Sequence, residues 1–168
     1  MIVYTETLQL PLATDQIFSH LQNITVRPYR LHRCDYLCTY ELQSLPNFQL
    51  MEGAVVPPHS DGIAGYRPFL ILHNPSNNYT IRGVRQVCAP QVQSTLAILD
   101  IDTPHEVHSK DPNGRLGSWA GLVWGLSGQP LLKNQWSLQD TTEAAKREFL
   151  NFCHAIQETI HTTAPVVH

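Results

Sequence analysis

Apolar positions along the chain follow a helical period near both ends and a strand-like one between them. Ile17, Phe18, Leu21 and Ile24 recur at three- and four-residue spacing, which predicts a short helix from about Asp15 to Asn23, with Thr14 placed to cap its first-turn amides. Beyond it, RPYRLHRCDYLCTYEL mixes aromatic and β-favouring residues with polar ones, predicting one or two strands before a turn at Leu45-Pro46-Asn47. FQLMEGAVVPP then reads as a strand running into His59.

From there dense punctuation separates short apolar runs: YRPFLILHN, NYTIRGV, RQVCAPQV, STLAILDI, PHEV and SWAGLVWGL. The clearest turns are Asn74-Pro75-Ser76-Asn77-Asn78 and Lys110-Asp111-Pro112-Asn113-Gly114. Such spacing predicts an all-β barrel or sandwich, not βαβ units. Pro57, Pro58 and Pro104 stand just before His59 and His105, and a proline cannot donate to a ladder, so each histidine is expected where a strand begins or ends, at a barrel mouth. After Trp136 the period becomes helical again. Asp140 and Glu143 read as a capping box, and Phe149, Phe152, Ile156 and Ile160 form the stripe of a closing helix expected to pack on the barrel.

A chain of 168 residues, 42% hydrophobic and 15% charged, fits one domain with a real core. Its expected parts are an N-terminal helix and strands (1–50), a metal-binding barrel core (51–128) and a C-terminal helix (137–161). The net charge of -3, with 11 dispersed Lys and Arg, excludes a nucleic-acid footprint. The one loose basic group, Arg27, Arg30 and Arg33, is expected to be a solvated strand or turn. The opening residues lack the pattern of a secretion signal and no window approaches a membrane span, so a cytoplasmic location without membrane partners is the expectation. Cys34, Cys38, Cys88 and Cys153 lack paired spacing, which argues for free thiols over a disulfide framework or a structural zinc site.

The candidate chemistry lies in three residues. His59 and Asp61 are two apart, so on a strand they would project to one side. His105 ends STLAILDIDTPH, on a later strand that antiparallel folding brings back opposite. Two imidazoles and one carboxylate leave coordination positions open, the arrangement of the 2-His-1-carboxylate facial triad of non-haem Fe(II) oxygenases. Ten residues on, Arg115 could reach the same pocket from an adjacent strand and hold a carboxylate through two parallel hydrogen bonds. His73 and His108 are not expected to ligate; His108, three beyond His105, falls on the other side of an extended strand.

HSD at His59, the apolar run after it, PHEV around His105 and RLGS from Arg115 together resemble the iron(II)- and 2-oxoglutarate-dependent oxygenases, over Glu52 to about Gly125. The resemblance implies a mainly β chain built as a double-stranded β-helix (jelly roll, cupin-like), with a short N-terminal helix and a C-terminal helix packed outside. It implies Fe(II) held by His59, Asp61 and His105, and 2-oxoglutarate chelating it while Arg115 grips the far carboxylate, assisted by Ser118. Tyr66 and Tyr79 are further candidates to reach the cosubstrate, and Arg67, Arg82 and Arg85 are rival anchors, Arg67 foremost. The implied reaction hydroxylates or demethylates a peptide or small molecule with O2 and releases succinate and CO2. Two rival functions stay open: a non-catalytic cupin-like metal- or ligand-binding module, and a cupin iron enzyme that does not use 2-oxoglutarate.

Overall fold

The computed structural model describes residues 1–31, 37–110 and 115–163. Its strands are β1 (Ile2–Thr7), β2 (Thr25–Leu31), β3 (Leu37–Leu42), β4 (Phe48–Gly53), β5 (Val56–His59), β6 (Gly65–His73), β7 (Tyr79–Gly83), β8 (Thr95–Asp100), β9 (His105–Ser109), β10 (Trp119–Trp124) and β11 (Leu131–Leu132). The helices are α1 (Thr14–Ile24) and α2 (Leu138–Thr163). Arg33, Cys34 and the turn residues 111–114 lie outside the described residues.

From β4 to β10 the chain steps alternately between two antiparallel sheets. The large one is ordered β1-β8-β6-β10-β4-β3-β2, with β11 beside β6, and the small one is β5-β9-β7. The inner orders β4-β10-β6-β8 and β5-β9-β7 are those of a double-stranded β-helix, so the chain is a jelly roll. The run RQVCAPQV, expected to be a strand, forms none. Its place beside β7 is filled by a side chain: Gln91 Oε1 accepts from the Ile81 N–H (2.9 Å) and Gln91 Nε2 donates to the Ile81 carbonyl (2.9 Å), satisfying the strand edge without a ladder.

Period-two alternation divides the large sheet into two faces. Leu70, Leu72, Leu96, Ile98 and Leu122 point to the helices, while Phe69, Ile71, Ala97, Leu99 and Val123 point to the small sheet. The first core is sealed by Ile17 and Leu21 of α1 and by Phe149, Phe152 and Ile156 of α2, so both helices pack outside the roll. Both caps differ from the expected ones. Thr14 is the first helical residue and its hydroxyl accepts from Gln93 Nε2 (2.8 Å), while Gln16 Oε1 reaches back to the Ala13 N–H (3.3 Å). In α2, Ser137 Oγ accepts from the Asp140 N–H (3.0 Å), so Ser137, not Asp140, is the cap. Cys38, Cys88 and Cys153 are free thiols, and among the described residues no helix is long and apolar enough to cross a membrane.

Phe149 is fully buried where α2 meets the sheet. Phe149→Ala is expected to cost about 3–5 kcal/mol, from lost transfer energy plus the cavity left behind. Urea unfolding followed by circular dichroism reads it; a cost below about 1 kcal/mol would contradict the packing role given to α2.

Candidate metal centre

His59 is the last residue of β5 and His105 the first of β9, and they are direct cross-strand partners. Facing residues on antiparallel strands stand close together. Here the two ring centroids are 4.4 Å apart. β5 tolerates Pro57 and Pro58 because it is an edge strand of the small sheet, where a missing N–H breaks no ladder. Its register with β9 shifts between Val56 and His59.

Asp61 arrives differently from the expected i, i+2 strand placement. β5 stops at His59, and Asp61 sits on the loop that follows, with Gly62 at φ +68°, a conformation glycine adopts without strain, completing the turn. The loop is strapped to the turn before His105: the Asp61 N–H donates to the Ile101 carbonyl (3.2 Å) and Ser60 Oγ to the Asp102 carbonyl (3.0 Å). One main-chain bond and one serine hydroxyl thus tie the segment bearing Asp61 to the one bearing His105.

The three donors converge. Asp61 Oδ1 lies 3.6 Å from His59 Nε2 and 3.6 Å from His105 Nε2, and ligating atoms of all three residues lie within 4.8 Å of one another. Separations of 3.6 Å are too long for hydrogen bonds. Donors each about 2.1 Å from one ion stand about 3.0–3.4 Å apart, so the 3.6 Å gaps are a few tenths of an ångström wider than a shared cation would draw them.

The other ring nitrogens settle which atoms face that gap. His59 Nδ1 is 2.9 Å from the Pro57 carbonyl and His105 Nδ1 is 2.8 Å from the Thr103 carbonyl, each two residues back. A carbonyl only accepts, so both bonds place the proton on Nδ1 and leave both Nε2 lone pairs facing Asp61. Carbonyl partners of this kind orient metal-binding histidines. Burial holds the His105 imidazole below the ordinary histidine range; His59 acts the same way, against the opposing Thr103 carbonyl bond and Asp61 charge. The His105 side chain is 6% exposed and that of His59 42%, so the cluster lies at a mouth, one side in protein and one in water.

Behind the mouth, a cavity of about 490 Å³ runs between the sheets. Its walls include Met51, Val56, Phe69, Ile81, Leu99 and Val107, and Trp119 closes it with its indole N–H bonded to the Ala54 carbonyl (2.7 Å). Gly53 makes room for that indole: a Cβ there would stand 2.5 Å from its ring.

No protein-family model and no curated protein matches the chain. One solved structure is similar, described as an RmlC-like cupin protein from Desulfovibrio desulfuricans, at 17% identity and a TM-score of 0.37 over 58% of this chain and 88% of that one. The fold assignment rests on strand order and not on this distant likeness. The chain is a jelly-roll protein with a candidate His-Asp-His metal site.

The remaining sequence candidates separate. Arg115 is a correction: it is exposed and lies in a turn before β10, where its N–H donates to Ser118 Oγ (2.9 Å) and its carbonyl accepts from the Ser118 N–H (3.0 Å). Neither Arg115 nor Ser118 lines the cavity, because β10 begins only at Trp119 and that indole takes the inward position. Tyr66 is also misplaced, since β6 turns it to the helix side beneath Lys133, 5.5 Å from the ring centroid. Tyr79 faces inward but at the far end of β7, paired with Ser109, and does not line the cavity. Arg67 does line it, one residue from Tyr66 and on the opposite face, with its guanidinium 3.9 Å from Asp61 Oδ2. Arg82 is paired with Glu106 (3.0 Å) and Arg85 is exposed. His73 stacks on Phe18 on the helix side, and His108 is exposed.

Titration with Co(II) is expected to show one equivalent bound by wild type. His59→Ala, Asp61→Ala and His105→Ala should each weaken binding about a hundredfold or more, and Arg115→Ala should leave it unchanged. Affinity is expected to fall with pH, since both imidazoles must be neutral to ligate. The depressed His105 pKa also makes a stability contribution that is present above the ordinary histidine value and lost as pH falls through the folded value. The wild-type unfolding midpoint should therefore drop more steeply than that of His105→Gln as the solution is acidified.

Proposed function

We propose that the protein is an Fe(II)- and 2-oxoglutarate-dependent dioxygenase that hydroxylates a substrate held in the cavity between its sheets. The observation that carries this reading is the convergence of His59, Asp61 and His105 at the mouth of a largely apolar cavity. Two neutral nitrogen donors and one carboxylate form the donor set of non-haem iron oxygenases, and three protein ligands leave room for more, unlike a closed structural zinc site. An Fe(II) ion there would supply O2 activation with 2-oxoglutarate as electron donor, one oxygen atom going to the substrate and the other to succinate as CO2 leaves.

The chain's own residues perform the rest. His59 and His105 present Nε2, fixed by the Pro57 and Thr103 carbonyls, and Asp61 supplies the negative charge, its loop held by Ile101 and Ser60. Among the described residues Arg67 is the one Lys or Arg lining the cavity. It replaces Arg115 as the side chain that would hold the far carboxylate of 2-oxoglutarate. The apolar walls at Val56, Phe69, Leu99 and Val107 would give a substrate a surface to pack against behind the metal site.

A second reading has an observation of its own. Arg67 already leans on Asp61, at 3.9 Å, and Arg115 lies outside the cavity, which favours an iron enzyme of the same fold that does not use 2-oxoglutarate. Succinate release under O2 with Fe(II) and ascorbate separates the two. The first reading expects iron-dependent turnover of 2-oxoglutarate above the no-enzyme rate. It also expects Arg67→Ala to raise KM for 2-oxoglutarate at least tenfold, with Co(II) affinity changed less than threefold and Arg115→Ala silent. Oxygen uptake without succinate would support the second reading; metal binding with neither would leave a binding module.

A further inference from the structure

The large-sheet wall of the cavity holds two nearly buried polar side chains whose polar atoms face the open space. Gln49 on β4 is 9% exposed and Thr39 on β3 is 5% exposed, and both line the cavity. Thr39 pairs with Met51 and Glu41 with Gln49, so Thr39 and Gln49 are diagonal neighbours on one face of adjacent strands. Among the described residues neither side chain has a hydrogen-bond partner in the protein, and neither has a polar atom sealed from water, so both turn their polar atoms to the open cavity. Gly128, at φ +77°, closes over the Gln49 amide so tightly that a Cβ there would lie 2.7 Å from Nε2. Polar atoms that face a cavity without a protein partner meet only its water, which a ligand group able to donate and accept can displace, so the pair is matched to a group that enters the cavity.

The chemistry of that group follows from what surrounds it. The charged residues lining the cavity are Asp61, Arg67 and Glu106, on β6, β9 and the loop after β5, and none is on β3 or β4. Among the described residues Arg67 is the one Lys or Arg on the cavity wall and it leans on Asp61 at 3.9 Å, so a neutral group suits Thr39 and Gln49 better than a carboxylate or phosphate, which would need a counter-charge. An amide and a hydroxyl each donate and accept, which complements a neutral group that does both. Leu37 and Met51 flank the pair with apolar surface.

We propose that the substrate is a neutral molecule bearing a carboxamide on an apolar chain, the carboxamide bonded by Gln49 and Thr39 while the chain extends along the cavity toward the metal centre. Only the word substrate rests on the oxygenase reading; the subsite itself does not.

Nitrogen-15-labelled protein titrated with hexanamide and, separately, with hexanoate tests this by NMR. The side-chain NH2 pair of Gln49 is identified as the one missing from Gln49→Leu. Hexanamide is expected to shift that pair and the Trp119 indole N–H, and to bind at least fivefold more tightly than hexanoate. Thr39→Val, a near-isosteric change, and Gln49→Leu should each weaken hexanamide about fivefold. Equal binding of the two ligands, an unshifted Gln49 pair up to the solubility limit of hexanamide, or wild-type affinity in both variants would overturn the subsite. Because the readout needs no metal, its failure leaves the metal centre standing, and loss of Co(II) binding with an intact amide shift would sink the oxygenase reading alone.

Discussion

The pairing of His59 with His105 across the β5–β9 ladder is the constraint on which the site depends. Two imidazoles set opposite each other by strand register would turn freely unless something fixed their rings. The Pro57 and Thr103 carbonyls do so from the same i−2 position, Pro57 on β5 and Thr103 in the turn before β9. The symmetry is local and cheap to build: each histidine bonds its own chain, and the register brings the two free nitrogens together. Asp61 is the added element, carried on a loop whose Asp61 N–H and Ser60 hydroxyl reach the turn that precedes His105.

The jelly roll explains why such a site sits beside a cavity. The small sheet has three strands where the large one has seven in its path, and the segment after β7 is held by the Gln91 amide in place of a ladder. Between the two inner faces lies a space of about 490 Å³. On the other side of the large sheet α1 and α2 pack onto it with Ile17, Leu21, Phe149 and Phe152. One sheet thus supplies a packed core with one face and a binding wall with the other, and the alternation along β6 decides which. Tyr66 and Arg67 are adjacent in sequence yet belong to different compartments.

What the sequence disclosed follows physical lines. The triad was legible because proline punctuation puts His59 and His105 at strand ends and because His-x-Asp has few spare degrees of freedom. The helices were legible from their stripes, although Ser137 in place of Asp140 shows that a cap depends on where the chain bends and not on residue type alone. Arg115 misled because a turn of four residues, closed by Ser118 on the Arg115 backbone, consumes the length that would have carried it onto β10. β1 was missed although Ile2, Val3, Tyr4 and Thr5 carry the β-branched and aromatic signature of a strand; no turn signal stands before it to frame the run. Thr39 and Gln49 had no signal at all, since their meaning lies in the absence of partners, which only tertiary placement reveals.

The central claim is that both imidazoles carry their proton on Nδ1 and turn Nε2 toward a common ion. Long-range proton–nitrogen NMR of the histidine rings in the metal-free protein at neutral pH reads this directly. Both His59 and His105 are expected to show protonated Nδ1 and bare Nε2, and both Nε2 signals to move together with one equivalent of Zn(II). A protonated Nε2 on either ring, or one Nε2 that ignores the metal while the other responds, would contradict it.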